Sequence, residues 1–164
     1  MENLLRGVYK RVDSKGNERF VASFTYKNKH ISLGSFDSEK AANSAYKEAI
    51  ALTSTESHKA IEDYDESATL DFEKWVTIIN FRDNGLYVKN PIYLRRRYFE
   101  YYLSTSDIMK FSADELFYYS NHKILRRGRH FFVADYGMQV NILSRYGIRN
   151  FAVAGRDYVF VNGD

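Results

Sequence analysis

The 164-residue sequence has no cysteine and a single proline. Without cysteine there is no disulfide, no thiolate zinc site, no iron–sulfur cluster and no thiol nucleophile. One proline, Pro91, leaves no proline-rich linker. No apolar run approaches the roughly 18 residues that a membrane span requires, and no apolar signal segment follows Met1. A cytoplasmic protein with no membrane partner is therefore expected. Neither GxxxxGK[ST] nor GxGxxG occurs, so a glycine-rich phosphate loop is missing too. What the chain has in quantity is aromatic side chains, 14 Tyr and 12 Phe, within 45% hydrophobic and 27% charged residues. That composition builds a core and is not that of a disordered tail.

The net charge of +3 is small, but it is unevenly spread. Residues 1–58 carry nine Lys/Arg against seven Asp/Glu, residues 59–73 one against six, and residues 74–164 fourteen against eight. Two basic segments flank an acidic one, which predicts a domain over 1–56, an acidic linker over 57–69 and a second module over 70–164.

Residues 6–12 (RGVYKRV) are strand-forming and end at the polar turn Asp13-Ser14-Lys15-Gly16-Asn17. Residues 19–26 alternate, with Phe20, Ala22 and Phe24 on one side and Arg19, Val21, Ser23 and Thr25 on the other. Lys27-Asn28 is a tight turn, and residues 29–36 form a third strand with Ile31 and Leu33 inward. Asp37 or Ser38 caps a helix whose stripe Ala41, Ala42, Ala45, Tyr46, Ala49 and Leu52 runs to Thr53. A three-stranded antiparallel sheet backed by one helix follows, with its other face uncovered.

These motifs in this order (Arg6-Gly7-Val8, the 20–24 alternation, Leu33-Gly34-Ser35-Phe36-Asp37-Ser38, and Ala41-Ala42 with Ala45-Tyr46) resemble the APETALA2/ethylene-response-factor DNA-binding domain over about residues 5–53. The resemblance implies a sheet that enters the major groove of double-stranded DNA. By position, it puts Arg6, Tyr9, Arg11, Ser23, Thr25, His30, Ser32 and Ser35 on the DNA. Tyr9, Thr25 and His30 stand where that family usually has arginine, and Ser23 and Ser32 replace a Glu and a Trp, so the family's sequence specificity does not carry over. Bacterial and phage domains of this kind accompany nucleases and integrases of mobile elements.

The rest of the chain carries no family pattern. A helix is predicted over 70–82, punctuated by Asp83-Asn84-Gly85, then aromatic strands at 87–88 and 92–103. Ser112 and Glu115 have capping-box spacing for a helix through Leu116, Phe117 and Ile124. A strand at 131–134, a helix over 138–146 stopped by Gly147, and a hairpin of 151–153 with 158–161 complete a small mixed α+β module. The fold class is α+β.

Two further basic clusters are candidate DNA contacts. Read as one strand, 92–103 puts Arg95, Arg97, Phe99 and Tyr101 on one face and Arg96, Tyr98 and Glu100 on the other. Arg126, Arg127 and Arg129 form a basic loop without a strand pattern. For the first the alternative is that one aromatic row is simply core, and for the second it is solvated charge. The four histidines lack metal-ligand spacing, Asp107, Asp114, Glu115 and Asp135 lack a nuclease motif, and no recombinase signature is visible. The expectation is a double-stranded-DNA-binding regulator or recombination accessory protein, with no cofactor, metal or catalytic residue. A nuclease or recombination enzyme acting from 74–164 is the alternative, as is an inhibitor-like module whose aromatic half docks on a protein partner.

Overall fold

A computed structural model describes residues 3–128, 130–134, 142–148 and 156. The chain divides into two compact units, Met1–Tyr87 and Val88–Asp164.

In the first unit, β1 (Val8–Val12), β2 (Glu18–Tyr26) and β3 (Lys29–Phe36) form an antiparallel sheet in sequence order, followed by α1 (Glu39–Leu52). Asp13 makes the β1–β2 turn, its carboxylate accepting from the Lys15 and Asn17 amides at 2.8 and 2.9 Å. The β2–β3 turn is tighter still. Lys27 and Asn28 both have positive φ, the pairing that a two-residue hairpin of right-handed twist requires. Ser38 caps α1 by accepting from the Ala41 amide at 3.1 Å. Ala42, Ala45 and Ala49 are fully buried, so α1 lies close over Ala22, Phe24, Ile31 and Leu33, which are buried as well.

The segment expected as an acidic linker is instead part of this unit. Ile61 opens a short 3-10 turn and is buried, as is Leu70. The Glu48 carboxylate of α1 accepts from the Thr69 and Leu70 amides, both at 2.8 Å, and the Thr69 hydroxyl bonds Ser44 at 3.0 Å. The helix α2 (Phe72–Asn84), capped by Asp71 and ended by Gly85 at positive φ, also belongs here rather than to a second module. Its Arg82 donates to the Leu52 and Lys59 carbonyls at 3.1 and 2.8 Å. The boundary falls after Tyr87 because side chains of α1 and α2 bind the intervening backbone.

In the second unit, β4 (Ile92–Leu94), β5 (Tyr98–Tyr102) and β6 (Ile108–Ser112) form another antiparallel sheet. A short 3-10 turn leads into α3 (Leu116–Asn121), and β7 (Ile124–Arg127) pairs with β8 (His130–Val133). Val88, Ile92, Phe99, Tyr101, Phe111, Tyr119, Ile124 and Ile142 make its core, with Phe111 and Tyr119 stacked at 4.2 Å. The buried Tyr101 hydroxyl accepts from the Ile124 amide at 3.0 Å and so ties β7 to β5. Burial, followed by the hydrogen bond with Tyr146, pushes the Tyr119 hydroxyl up from the ordinary tyrosine range.

Three expectations here are corrected. The span 92–103 is two strands, because the chain turns at 95–97 and the Arg95 amide donates to the Tyr98 carbonyl at 2.8 Å. Ser112 makes no side-chain cap, since Glu115 turns to Arg145, and Ile124 starts a strand. Tyr87 and Val88 are not in a strand. Within 138–146, Ile142–Tyr146 form a 3-10 helix; 138–141, Asp135 and the expected hairpin at 151–161, apart from Arg156, lie outside the described residues.

Candidate nucleic-acid interface

The register of the first sheet sorts its side chains into two faces. Lys10 pairs with Phe20 and Phe20 with Phe36, while Phe24 pairs with Ile31, and these residues face the helix side. Tyr9 pairs with Val21 and Val21 with Ser35, Arg11 pairs with Arg19, Ser23 with Ser32, and Thr25 with His30. That second set makes up the outer face. The strand residues expected at DNA (Tyr9, Arg11, Ser23, Thr25, His30, Ser32 and Ser35) are therefore brought together on one surface. Lys10 is on the other face, beside Glu18 at 3.8 Å.

Ser32 and Ser35 share this face only because β3 is irregular. Their odd spacing would put them on opposite sides of a regular strand. Between Ala22 and Ser23 the register slips by one residue, so Leu33 has no partner, and Gly34 takes φ +124°. The bulge lets buried Leu33 point inward while Ser35 and Ser32 both point out.

Arg6 lies in the turn before β1, and α1 fixes that turn from behind. The Asn43 amide donates to the Arg6 carbonyl at 3.0 Å, and Glu39 accepts from the Leu5 amide. Gly7 sits at φ +78° under the Tyr46 ring, so closely that a Cβ there would fall 2.1 Å from Cδ2. Only glycine meets both conditions. The Arg6 and Arg11 side chains are exposed and have no hydrogen-bond or ion-pair partner among the described residues, and neither does exposed His30.

The outer face also holds two residues not assigned to DNA from the sequence. Arg19 pairs with Asp37 and donates to the Ser35 carbonyl at 3.1 Å, so its charge is committed within the sheet. Val21 is 5% exposed and forms an apolar spot between Tyr9 and Ser35. No protein-family model, curated protein or solved structure matches this chain. The roles of these residues therefore rest on their own chemistry.

The arginines of the second unit separate into bound and free. Arg95 Nε lies 2.9 Å from Glu100 Oε1, and its guanidinium stacks 4.5 Å from the Tyr93 ring centre. Glu100 is 8% exposed and its other oxygen accepts from the Tyr102 hydroxyl at 2.5 Å. The hydrogen bond that Arg95 donates to Glu100 raises the Arg95 pKa above its ordinary value. Arg96 and Arg97 are exposed and have no partner among the described residues. The sequence signal for this division was Glu100 itself, an opposite charge facing back across a turn. Arg126 and Arg127 close β7 rather than lying in a patternless loop; Arg126 bonds Asp107 at 2.6 Å, whereas Arg127 is exposed. Arg129 lies outside the described residues. Among the described residues no three His, Asp or Glu side chains converge on a metal position.

Proposed function

We propose that this chain is a double-stranded-DNA-binding protein that lays the outer face of β1–β2–β3 into the major groove and carries out no chemistry of its own. The observation that supports this reading most is the one-sided sheet. One face is closed by an alanine-striped helix, and the other gathers Tyr9, Arg11, Ser23, Thr25, His30, Ser32 and Ser35 with free guanidinium charge at Arg11 and nearby Arg6. Three strands span ~10 Å across the sheet, which suits a groove about 12 Å wide. Arg6 and Arg11 supply phosphate or guanine contacts, and the short hydroxyl side chains let the strands approach base edges closely. The resemblance of residues 5–53 to the APETALA2/ethylene-response-factor domain supports the same docking. The role that follows is cytoplasmic: transcriptional regulation, or an accessory part in recombination, in a bacterium, phage or integrated element. Arg127 adds a backbone contact from the second unit, whose aromatic surface is also where a protein partner would dock.

Fluorescence anisotropy on labelled duplex tests this reading. Binding is expected to weaken with salt at a log–log slope near −0.9 per phosphate contacted. After selection of a preferred site, Arg6→Ala and Arg11→Ala are expected to weaken binding to it more than to random duplex. Absence of duplex binding at about 50 mM salt, where phosphate contacts are strong, removes the proposal.

A further inference from the structure

We propose that the β4–β5 turn is a separate binding site for single-stranded nucleic acid, with Tyr98 stacking on a base and Arg96 and Arg97 holding the flanking phosphates. Residues 84–99 contain four cations, Lys89, Arg95, Arg96 and Arg97, and no Asp or Glu. The first carboxylate after them, Glu100, is buried and already bound by Arg95 and Tyr102. No acidic side chain of this segment therefore competes with a phosphate.

The turn is held in place from three directions. The Arg95 amide donates to the Tyr98 carbonyl at 2.8 Å, the Ala113 amide donates to the Arg97 carbonyl at 3.1 Å, and the Arg95 side chain is anchored by Glu100 and Tyr93. Fixing the backbone in advance lowers the entropic cost of binding. The Arg96 and Arg97 side chains remain exposed without partners among the described residues, and the adjacent Tyr98 is 39% exposed. Among the described residues Tyr98 has no ring contact, whereas Tyr93, Phe99 and Tyr101 of the same strands are covered or buried. A ring next to two guanidinium groups is a stacking platform with its phosphate holders beside it. The choice of a single strand follows from the ring. Bases in a duplex already stack on both faces, while an unpaired base has a face free for tyrosine.

The test uses the full chain and a labelled 12-nucleotide oligothymidylate at low salt. Tyr98→Ala is expected to weaken binding about tenfold, while Tyr98→Phe, which keeps the ring, stays within about twofold of the parent. Replacing Arg96 and Arg97 together with alanine is expected to reduce the log–log salt slope by about 1.4, at roughly 0.7 per phosphate contact on single strands. Arg6→Ala and Arg11→Ala should leave this affinity unchanged, so failure of the duplex reading is seen separately from failure of this one. An oligouridylate of equal length shows whether DNA or RNA is preferred. The proposal is overturned if oligothymidylate and oligouridylate both fail to bind, if Tyr98→Ala binds like the parent, or if a 12-residue polyglutamate peptide binds as tightly.

Discussion

In the first unit the sheet β1–β2–β3 buries one face under α1 and leaves short polar side chains on the other, with only Val21 buried there. In the second unit β4–β5–β6 is buried on both faces along β5, with Phe99 and Tyr101 on one and Glu100 and Tyr102 on the other. The same architecture thus leads to two uses of arginine. A carboxylate buried in a sheet needs compensating hydrogen bonds, and Glu100 obtains them from Arg95 and Tyr102, so that arginine serves the fold. On an uncovered face no such demand arises, and the Arg11 side chain is exposed without a partner among the described residues. Arg19 shows that position alone does not decide the matter: it shares the outer face with Arg11, yet Asp37 and Ser35 occupy it. Counting positive charge therefore does not separate cations that serve the fold from those left exposed, whereas asking which cations have internal partners does.

The largest expected effect breaks the first sheet at its entrance. Gly7→Ala combines a clash with Tyr46 and an unfavourable φ, and is expected to cost about 3 kcal/mol in a urea titration. In a Tyr46→Ala background the same change should cost clearly less, because only the backbone strain remains.

A change of intermediate size separates the two uses of charge. Glu100→Gln is expected to lower stability by about 1–2 kcal/mol, less than a fully buried pair would lose because Arg95 is 42% exposed. Arg11→Ala should move stability by less than about 0.5 kcal/mol, as is usual for a surface site without partners. If Arg11→Ala proved as destabilising as Glu100→Gln, the division between structural and available arginines would fail.

The smallest effect is acid-side. The Asn17 amide, together with the Asn17 side chain and the Lys15 amide, holds the Asp13 carboxyl below its ordinary value of 3.8. Such a group stabilises the fold above its unfolded value, and that contribution is lost as pH falls through the lower folded value. Asp13→Asn should therefore lower stability slightly at neutral pH and flatten the acid limb of a stability–pH curve below about pH 4, where parent and variant converge.

The first sheet was legible in the sequence because its turns are marked and its strands alternate: 29–36 matches β3 end to end, and 19–26 falls one residue short of β2. The Gly34 bulge left no trace in the alternation, although glycine inside a strand is its usual sign. The turn at 95–97 was hidden because three arginines occupy it and no Gly, Pro, Asn or Asp marks it. Residues 57–69 looked like a linker because their anchors are distant in sequence. Glu48 binds backbone amides there, and the Trp75 indole donates to the Ala60 carbonyl at 3.3 Å. Hydrogen bonds from side chain to remote backbone leave no periodic pattern to read.

The fully buried alanines of α1 have a consequence for how this chain can change. With Ala42, Ala45 and Ala49 against the sheet there is no room for a larger residue on the helix side, so that layer is fixed by shape. Thr25, His30 and Ser32 point the other way and are exposed, and Ser23 is only half-buried. The two layers are therefore constrained differently: one is held by packing against the helix, and the other can change without disturbing that packing. A library randomised at Ser23, Thr25, His30 and Ser32 should yield mostly folded members, whereas one randomised at Ala42, Ala45 and Ala49 should yield few, as far-UV circular dichroism of the members would show.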